Sequence, residues 1–136
     1  MKKLFSKNWI ASRQARKQRK YRSKAPLHIK RRMTAAHLSK ELRQKYHRRS
    51  IALRKEDTVK VMKGKFKGKT GKIMELNTKK GAAYIEGIQR TKKDGTKVNV
   101  PTQASNLLVT ALALEDKKRI ESLERTGKIG NTGGKK

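Results

Sequence analysis

The chain has 136 residues and carries 39 Lys and Arg against 10 Asp and Glu, which gives a formal net charge of +29. So large a positive charge opposes compaction and favours polyanions, so nucleic acid is the expected partner. The chain has no cysteine, which excludes disulfide frameworks, thiolate metal sites and a cysteine nucleophile. We expect neither a membrane span nor a secretory signal, because no apolar run is long enough for either.

The positive charge is concentrated at the N-terminal end of the chain. Residues 1–55 hold twenty Lys and Arg and one acid, Glu41. Residues 56–100 hold twelve basic and five acidic residues, and residues 101–136 hold seven and four. The first segment is therefore interpreted as a basic arm, and the middle segment as a more ordinary domain.

Short helices are predicted within the arm. A polar helix over 13–20 follows Ser12 as a candidate cap, and it has so little to bury that we expect it to order only against phosphate. Pro26 suits the first turn of a second helix, and Ser39 is a candidate cap for a third. Apolar residues at i, i+4 spacing form two narrow stripes on these helices, namely Ile29, Met33, Leu38, Leu42 and Tyr46.

The pattern changes to short strands between residues 57 and 113. Asp94 and Gly95 form a tight-turn signal between two of them. Five or six short strands joined by turns predict a small barrel. The predicted strands cover residues 58–62, 73–76, 82–88, 88–92, 97–100 and 107–114.

A basic, glycine-rich loop joins the first two predicted strands. Glycine allows positive φ and close approach of another backbone, and lysine adds charge to the same turn. The loop could be a hairpin whose glycines only shape the turn, or its backbone could also contact phosphate and sugar with help from the lysines. Phe66 could stack on a base or pack on its own barrel. The loop contains Lys63, Gly64, Lys65, Lys67, Gly68, Lys69, Gly71 and Lys72.

A final helix is predicted after the strands. Glu115 and Asp116 place acids at its N-terminus, as the helix dipole prefers, and it continues to about Arg125. Gly127 is a candidate C-terminal cap. Residues 130–136 are expected to form a flexible tail.

The side chains that usually carry catalysis are poorly placed for it. His28, His37 and His47 lie far apart in the arm without metal-ligand spacing. The triplet Gly68-Lys69-Thr70 lacks the earlier glycine of a phosphate-binding Walker loop, because position 63 is lysine, and a strand rather than a helix follows. We therefore predict no catalytic residue, no metal and no cofactor.

A strand, a basic glycine-rich loop and a second strand beginning at Gly71, Lys72 and Ile73 resemble the KOW motif. KOW modules are small SH3-like barrels that bind RNA or transcription machinery. The resemblance implies a mainly β chain with the barrel at residues 54–114. A basic arm of short helices at 1–53 precedes it, and a C-terminal helix and tail at 115–136 follow. Residues 63–72 are called the KOW loop below.

Four flanking segments narrow the resemblance. Together with the KOW loop, they resemble in order and spacing the KOW ribosomal protein family of the large subunit, universal protein twenty-four, in its archaeal and eukaryotic form (numbered twenty-six in eukaryotes). The resemblance covers roughly residues 12–128. The four segments are residues 38–46, 54–59, 104–110 and 123–125.

Membership of that family implies a structural constituent of the large ribosomal subunit near the polypeptide exit tunnel, with a role in early assembly. Its expected partners are large-subunit rRNA and neighbouring ribosomal proteins, and no homo-oligomer is expected. Its expected location is the cytoplasmic ribosome, and the nucleolus during assembly if the source is eukaryotic. A KOW-type transcription elongation factor and a DNA-compacting protein are the alternatives.

The predicted RNA-binding residues come from the arm and from the KOW loop. Lysine and arginine neutralise phosphate, and glycine lets a backbone approach RNA. The predicted residues are Arg13, Arg16, Lys17, Arg19, Lys20, Arg22, Lys24, Lys30, Arg31, Arg32, Arg43, Lys45, Arg48, Arg49, Lys63, Gly64, Lys65, Phe66, Lys67, Gly68, Lys69, Gly71 and Lys72.

Overall fold

The computed structural model describes the backbone of residues 5–131 and the side chains of residues 5–125. Most of its helices lie before and after the main run of strands. A 3-10 turn at Lys7–Trp9 precedes the first helix. Of the tail predicted from residue 130, residues 132–136 lie outside the described residues. The helices are α1 (Ala15–Lys24), α2 (Leu27–Met33), α3 (Lys40–Tyr46) and α4 (Lys117–Asn131).

Strands make up most of the middle of the chain, so the mainly β prediction is confirmed. Seven of them form one sheet in the order β2-β1-β9-β3-β4-β5-β8, and β6 and β7 form a separate two-stranded ribbon. The strands are β1 (Ala35–Leu38), β2 (Ser50–Ala52), β3 (Thr58–Val61), β4 (Thr70–Asn77), β5 (Ala82–Ile85), β6 (Gln89–Thr91), β7 (Lys97–Asn99), β8 (Thr102–Gln103) and β9 (Leu107–Ala111).

Alternating side chains of the sheet form one apolar core. In β3 the alternate residues Val59 and Val61 are buried, and Lys60 between them is exposed. The same alternation buries Leu107 and Val109 of β9, and Leu108 between them is half-buried. Each fully buried aliphatic side chain contributes about 1.5–3 kcal/mol of transfer free energy.

The hairpin at residues 93–96 has the predicted turn. Gly95 has φ +84°, which a residue with a side chain rarely adopts. The backbone N–H of Lys92 donates to the Thr96 carbonyl at 2.9 Å, and the Asp94 carboxylate accepts from the Thr96 N–H at 3.0 Å. The turn connects the ribbon strands β6 and β7 and adds no strand to the larger sheet.

Two strands of the sheet come from the segment that the sequence assigned to the arm. Leu38, predicted on a helical stripe, is fully buried at the end of β1. This strand pairs in parallel with β9, where His37 faces Leu108, and antiparallel with β2. Helix α3 then begins after Ser39, whose Oγ accepts from the Leu42 N–H at 3.3 Å, as predicted for a cap.

The ends of the other helices differ in part from the prediction. Helix α2 begins directly after Pro26, as its fixed φ favours. Helix α1 has Gln14 as its cap, with no side-chain capping bond, so the prediction of Ser12 as the cap was wrong. The prediction that Gly127 ends the last helix was also wrong, because α4 continues to Asn131.

A buried ion pair attaches α4 to the sheet. The guanidinium of Arg119 donates to both carboxylate oxygens of Asp57, at 2.7 and 2.8 Å, and both residues are buried. The same carboxylate accepts the backbone N–H groups of Arg54 and Ala113 at 2.9 and 3.0 Å. Because both oxygens of this buried charge have two donors each, the helix is held in one orientation.

Candidate nucleic-acid interface

The KOW loop is a short hairpin closed by its own backbone. The N–H of Val61 donates to the Lys69 carbonyl at 2.8 Å, and the N–H of Gly68 donates to the Val61 carbonyl at 2.8 Å. Gly64 and Gly68 have φ of +91° and +90°, with open space where a Cβ would lie. These two glycines therefore allow the turn itself. The lysines around them, Lys63, Lys65, Lys67, Lys69 and Lys72, are all exposed.

Gly71 has a different role from the one predicted for it. Its φ lies outside the left-handed region, so positive φ does not explain why glycine occupies this position. A Cβ at Gly71 would lie 2.6 Å from the carbonyl oxygen of Glu86 and 2.9 Å from Cγ2 of Ile85. The close approach at Gly71 is therefore to the protein's own chain at the end of strand β5.

Phe66 lies at the boundary between the loop and the core. Its ring is half-buried and packs against the core cluster. The ammonium of Lys69 lies 5.5 Å from the ring centroid, within cation–π range. The structure thus shows that Phe66 packs on its own sheet, and base stacking by its exposed part stays a prediction.

The predicted RNA-binding residues of the arm are mostly exposed, and within the described residues no acidic side chain forms an ion pair with them. Within residues 5–125, the two ion pairs join Arg54 to Asp116 and Arg119 to Asp57. None of the predicted cations belongs to either pair. The half-buried members are Lys17, Lys24, Lys30 and Arg48. The exposed members are Arg13, Arg16, Arg19, Lys20, Arg22, Arg31, Arg32, Arg43, Lys45 and Arg49.

Some of the arm cations are oriented by uncharged groups. The Nε of Arg43 donates to the Leu38 carbonyl at 2.8 Å. Lys20 lies over the ring of Trp9 at 5.5 Å, and Lys45 lies over the ring of Tyr46 at 5.4 Å. Such contacts position a cation without neutralising it, so its charge remains available to an external anion.

A cleft brings part of the arm against the sheet. Arg22 of α1 and Lys30 of α2 line it from one side, and Lys79 and Lys80 of the turn between β4 and β5 line it from the other. Sequence reasoning placed the two arm residues in the site but missed the two lysines of the turn. The available signal was the pair Lys79-Lys80 before Gly81, a second basic turn with glycine.

The described residues contain no arrangement typical of an active site. Within residues 5–125, no three His, Asp or Glu side chains lie together as a metal site would require. His28 and His47 are exposed, and His37 lies in β1. None of the helices in this range is long and apolar enough to cross a membrane.

These features define a class of protein: a small, strongly basic, mainly β chain whose free cations are arranged on loops and short helices. Comparison with known proteins gives the family. Residues 12–126 match the family of the eukaryotic ribosomal proteins L26 and their archaeal counterparts, which are numbered twenty-four. The chain therefore belongs to this family of ribosomal proteins, and it is a structural protein of the ribosome and not an enzyme.

Two archaeal relatives cover most of the chain. This chain is 41% identical over 116 residues to the large ribosomal subunit protein uL24 of Methanosarcina barkeri (strain Fusaro / DSM 804). The matched region covers 85% of this chain and 100% of the relative. This chain is 42% identical over 118 residues to the protein of the same name from Korarchaeum cryptofilum (strain OPF8), at 87% and 90% coverage. These similarities support the ribosomal interpretation over a transcription elongation factor or a DNA-compacting protein.

Proposed function

We propose that this protein is a constituent of the large ribosomal subunit that binds large-subunit rRNA through its basic arm and its KOW loop. The observation that carries the proposal is the set of exposed arm and loop cations, none of which forms an ion pair within the described residues. So many unpaired positive charges on one small chain repel each other until a polyanion neutralises them. The names of the archaeal relatives support the large subunit as the location of that polyanion.

Binding is expected to be dominated by phosphate contacts. Lysine and arginine contacts to phosphate fix position and orientation but read no base sequence. The hairpin geometry of Gly64 and Gly68 presents the loop lysines outward, which supports the assignment of this loop to the backbone of folded RNA. Phe66 contributes mainly by packing, since its ring lies against the core.

The finer assignments follow from the family resemblance. The antiparallel succession β3–β4–β5 with a basic loop after β3 supports an SH3-like KOW barrel at residues 54–114, between the arm and the C-terminal segment. We place the protein near the polypeptide exit tunnel, in contact with neighbouring ribosomal proteins, with a role in early subunit assembly. It acts as a single copy on the cytoplasmic ribosome, and would enter the nucleolus during assembly in a eukaryotic source.

Co-sedimentation tests this function directly. Tagged protein expressed in its source organism should sediment with large subunits in moderate salt. A variant carrying Gln at Arg13, Arg16 and Arg19, three exposed residues of the arm, should be depleted from subunits. Glutamine is a good helix former, so the change removes charge rather than structure.

The matched control carries lysine at the same three positions. It keeps the charge and should sediment like the wild type. Recovery of the wild-type protein with RNA polymerase rather than with subunits would support the elongation-factor alternative. Recovery with neither would overturn the proposed function.

A further inference from the structure

We propose that the cleft between the arm and the turn that joins β4 to β5 is a second RNA-phosphate site, separate from the KOW loop. The proposal rests on the proposed function, since it takes the ligand to be the backbone of large-subunit rRNA. It assigns RNA-binding roles to Lys79 and Lys80 and gives Arg22 and Lys30 a specific location.

The composition of the cleft selects for an anion. Its volume is about 270 Å³, and four basic side chains from three separate segments line it without a single carboxylate. The remaining polar lining includes Gln103 and Ser105, which can hydrogen-bond to phosphate or ribose oxygens. None of the four cations forms an ion pair within the described residues.

The turn that carries the two lysines has a fixed shape. The side-chain oxygen of Asn77 accepts the backbone N–H of Lys80 at 3.0 Å. Gly81 has φ +66°, and a Cβ at that position would lie 4.0 Å from Cγ2 of Thr34. Thr34 itself is buried at the end of α2, where its Oγ1 donates to the Arg31 carbonyl at 2.8 Å. The turn therefore lies beside the end of the arm.

The four cations around the cleft raise the free energy of the folded protein when no anion is bound. Like charges that face one another repel, and the interaction weakens only as the solvent or an anion screens it. A phosphodiester between the arm and the turn would convert the repulsion into attraction on both sides. RNA would then hold α1 and α2 against the sheet.

The cleft and the KOW loop are separated by the length of strand β4. The loop precedes most of β4 and the turn follows Asn77, so they lie at opposite ends of β4, which has 8 residues. At ~3.3 Å per residue, the length of β4 from Thr70 to Asn77 is roughly 23 Å. Two phosphate sites at that separation would contact different nucleotides, so one protein molecule would join two segments of folded RNA.

A pair of matched variants tests the cleft. One is Lys79→Gln with Lys80→Gln, and the other is Lys92→Gln with Lys93→Gln in the β6–β7 turn. Each removes two charges from exposed residues of a hairpin turn, and side-chain substitution leaves the backbone bonds of both turns in place. The measurement is the affinity for large-subunit rRNA of the same organism between 50 and 200 mM salt.

The cleft variant should lose about ten- to hundredfold in affinity near 0.1 M salt, and its log–log salt slope should fall by about 2. The β6–β7 variant should keep the wild-type slope. Equal salt slopes for the two variants would overturn the proposed phosphate site in the cleft and would leave the proposed function intact. A wild-type protein without salt-dependent rRNA binding would overturn both.

A positional probe gives a second measurement. Because the chain has no cysteine, Ser105→Cys and Lys65→Cys each provide a single attachment point for a hydroxyl-radical probe. The two probes should cleave different nucleotides of bound rRNA, and Lys79→Gln with Lys80→Gln should abolish cleavage only from position 105. Cleavage from position 65 with none from position 105 in the otherwise wild-type chain would contradict the second site.

Discussion

The sheet and the N-terminal arm differ in what their side chains contact. The sheet buries Val59, Ile73, Ile85 and Val109 completely. Helix α1 buries only Tyr21 among its ten residues, and α2 buries none of its seven. The sheet is therefore stabilised by apolar burial, whereas the arm presents charge to its surroundings.

From this difference we expect the sheet to fold alone and the helices α1 and α2 to need a partner. A core of buried aliphatic residues stabilises the sheet without a ligand. An exposed polar helix of ten residues is marginal in water, and its positive charges weaken it further. If the proposed function is right, we expect the structure and the function of α1 and α2 to depend on the same polyanion.

Hydrogen exchange should show the largest difference between the two regions. In the RNA-free protein we expect the amides of β3 and β4 to exchange only through global unfolding, which for small domains costs about 5–15 kcal/mol. We expect the amides of α1 to exchange nearly as fast as an unstructured peptide. Mass-spectrometric hydrogen exchange measures both. Equal protection of α1 and β4 without RNA would show that the arm is stable by itself.

Loss of the buried ion pair should have the next largest effect. Arg119→Met leaves the carboxylate of Asp57 buried without its charge partner, which should destabilise the fold by about 3–5 kcal/mol. Arg125→Met on the same helix is the control, because Arg125 is exposed and such changes usually stay within about 0.5 kcal/mol. Urea unfolding compares the two. Equal stabilities would mean that α4 contributes little to the sheet.

Glycine substitutions should distinguish packing from turn geometry. Gly71→Ala forces a Cβ against the Glu86 carbonyl, and overpacking of this kind costs about 1–3 kcal/mol. Gly68→Ala has space but positive φ, so it should cost about 1–2 kcal/mol. Lys69→Ala should leave stability close to wild type and weaken RNA binding modestly. Thermal unfolding with rRNA binding tests all three, and the loop would act through its charge alone if only Lys69→Ala had an effect.

The smallest expected effect is a pH dependence at the start of α4. The Arg54 guanidinium and the Lys118 N–H hold the pKa of Asp116 below its ordinary value of 3.8. Because the folded-state pKa is depressed, this contribution is present above pH 3.8 and is lost as pH falls through the lower folded value. Arg54→Gln should therefore flatten the acid end of the stability profile. An unchanged profile would show that the Arg54–Asp116 pair does not contribute to the pH dependence of stability.

Local patterns in the sequence predicted the local parts of the fold. The strand at 58–62, the turn at Asp94 and Gly95 and the cap at Ser39 each depend on a few neighbouring residues. Leu38 was misassigned because Leu42 and Tyr46 continue its spacing as a helix would, and a short apolar run does not separate strand from helix. Its strand pairs with residues about seventy positions later, which no local pattern encodes.

The candidate site shows the same division. The KOW loop lies within one hairpin, so its residues are neighbours in the sequence and could be predicted together. Lys79 and Lys80 are about fifty residues from Lys30 in the chain, and only the fold places the three around one cleft. The sequence singled out Gly71, but its neighbour in the fold is a backbone carbonyl just after β5 that the sequence did not identify.

The salt dependence of rRNA binding tests the central claim most directly. If the arm and the loops neutralise about eight phosphates, affinity should fall roughly 10³–10⁵-fold between 50 and 200 mM salt. The measurement is a set of equilibrium titrations of large-subunit rRNA with the full chain across that range. A steep linear decrease in log affinity with log salt is the predicted result. An affinity that hardly changes with salt would contradict binding through phosphate contacts.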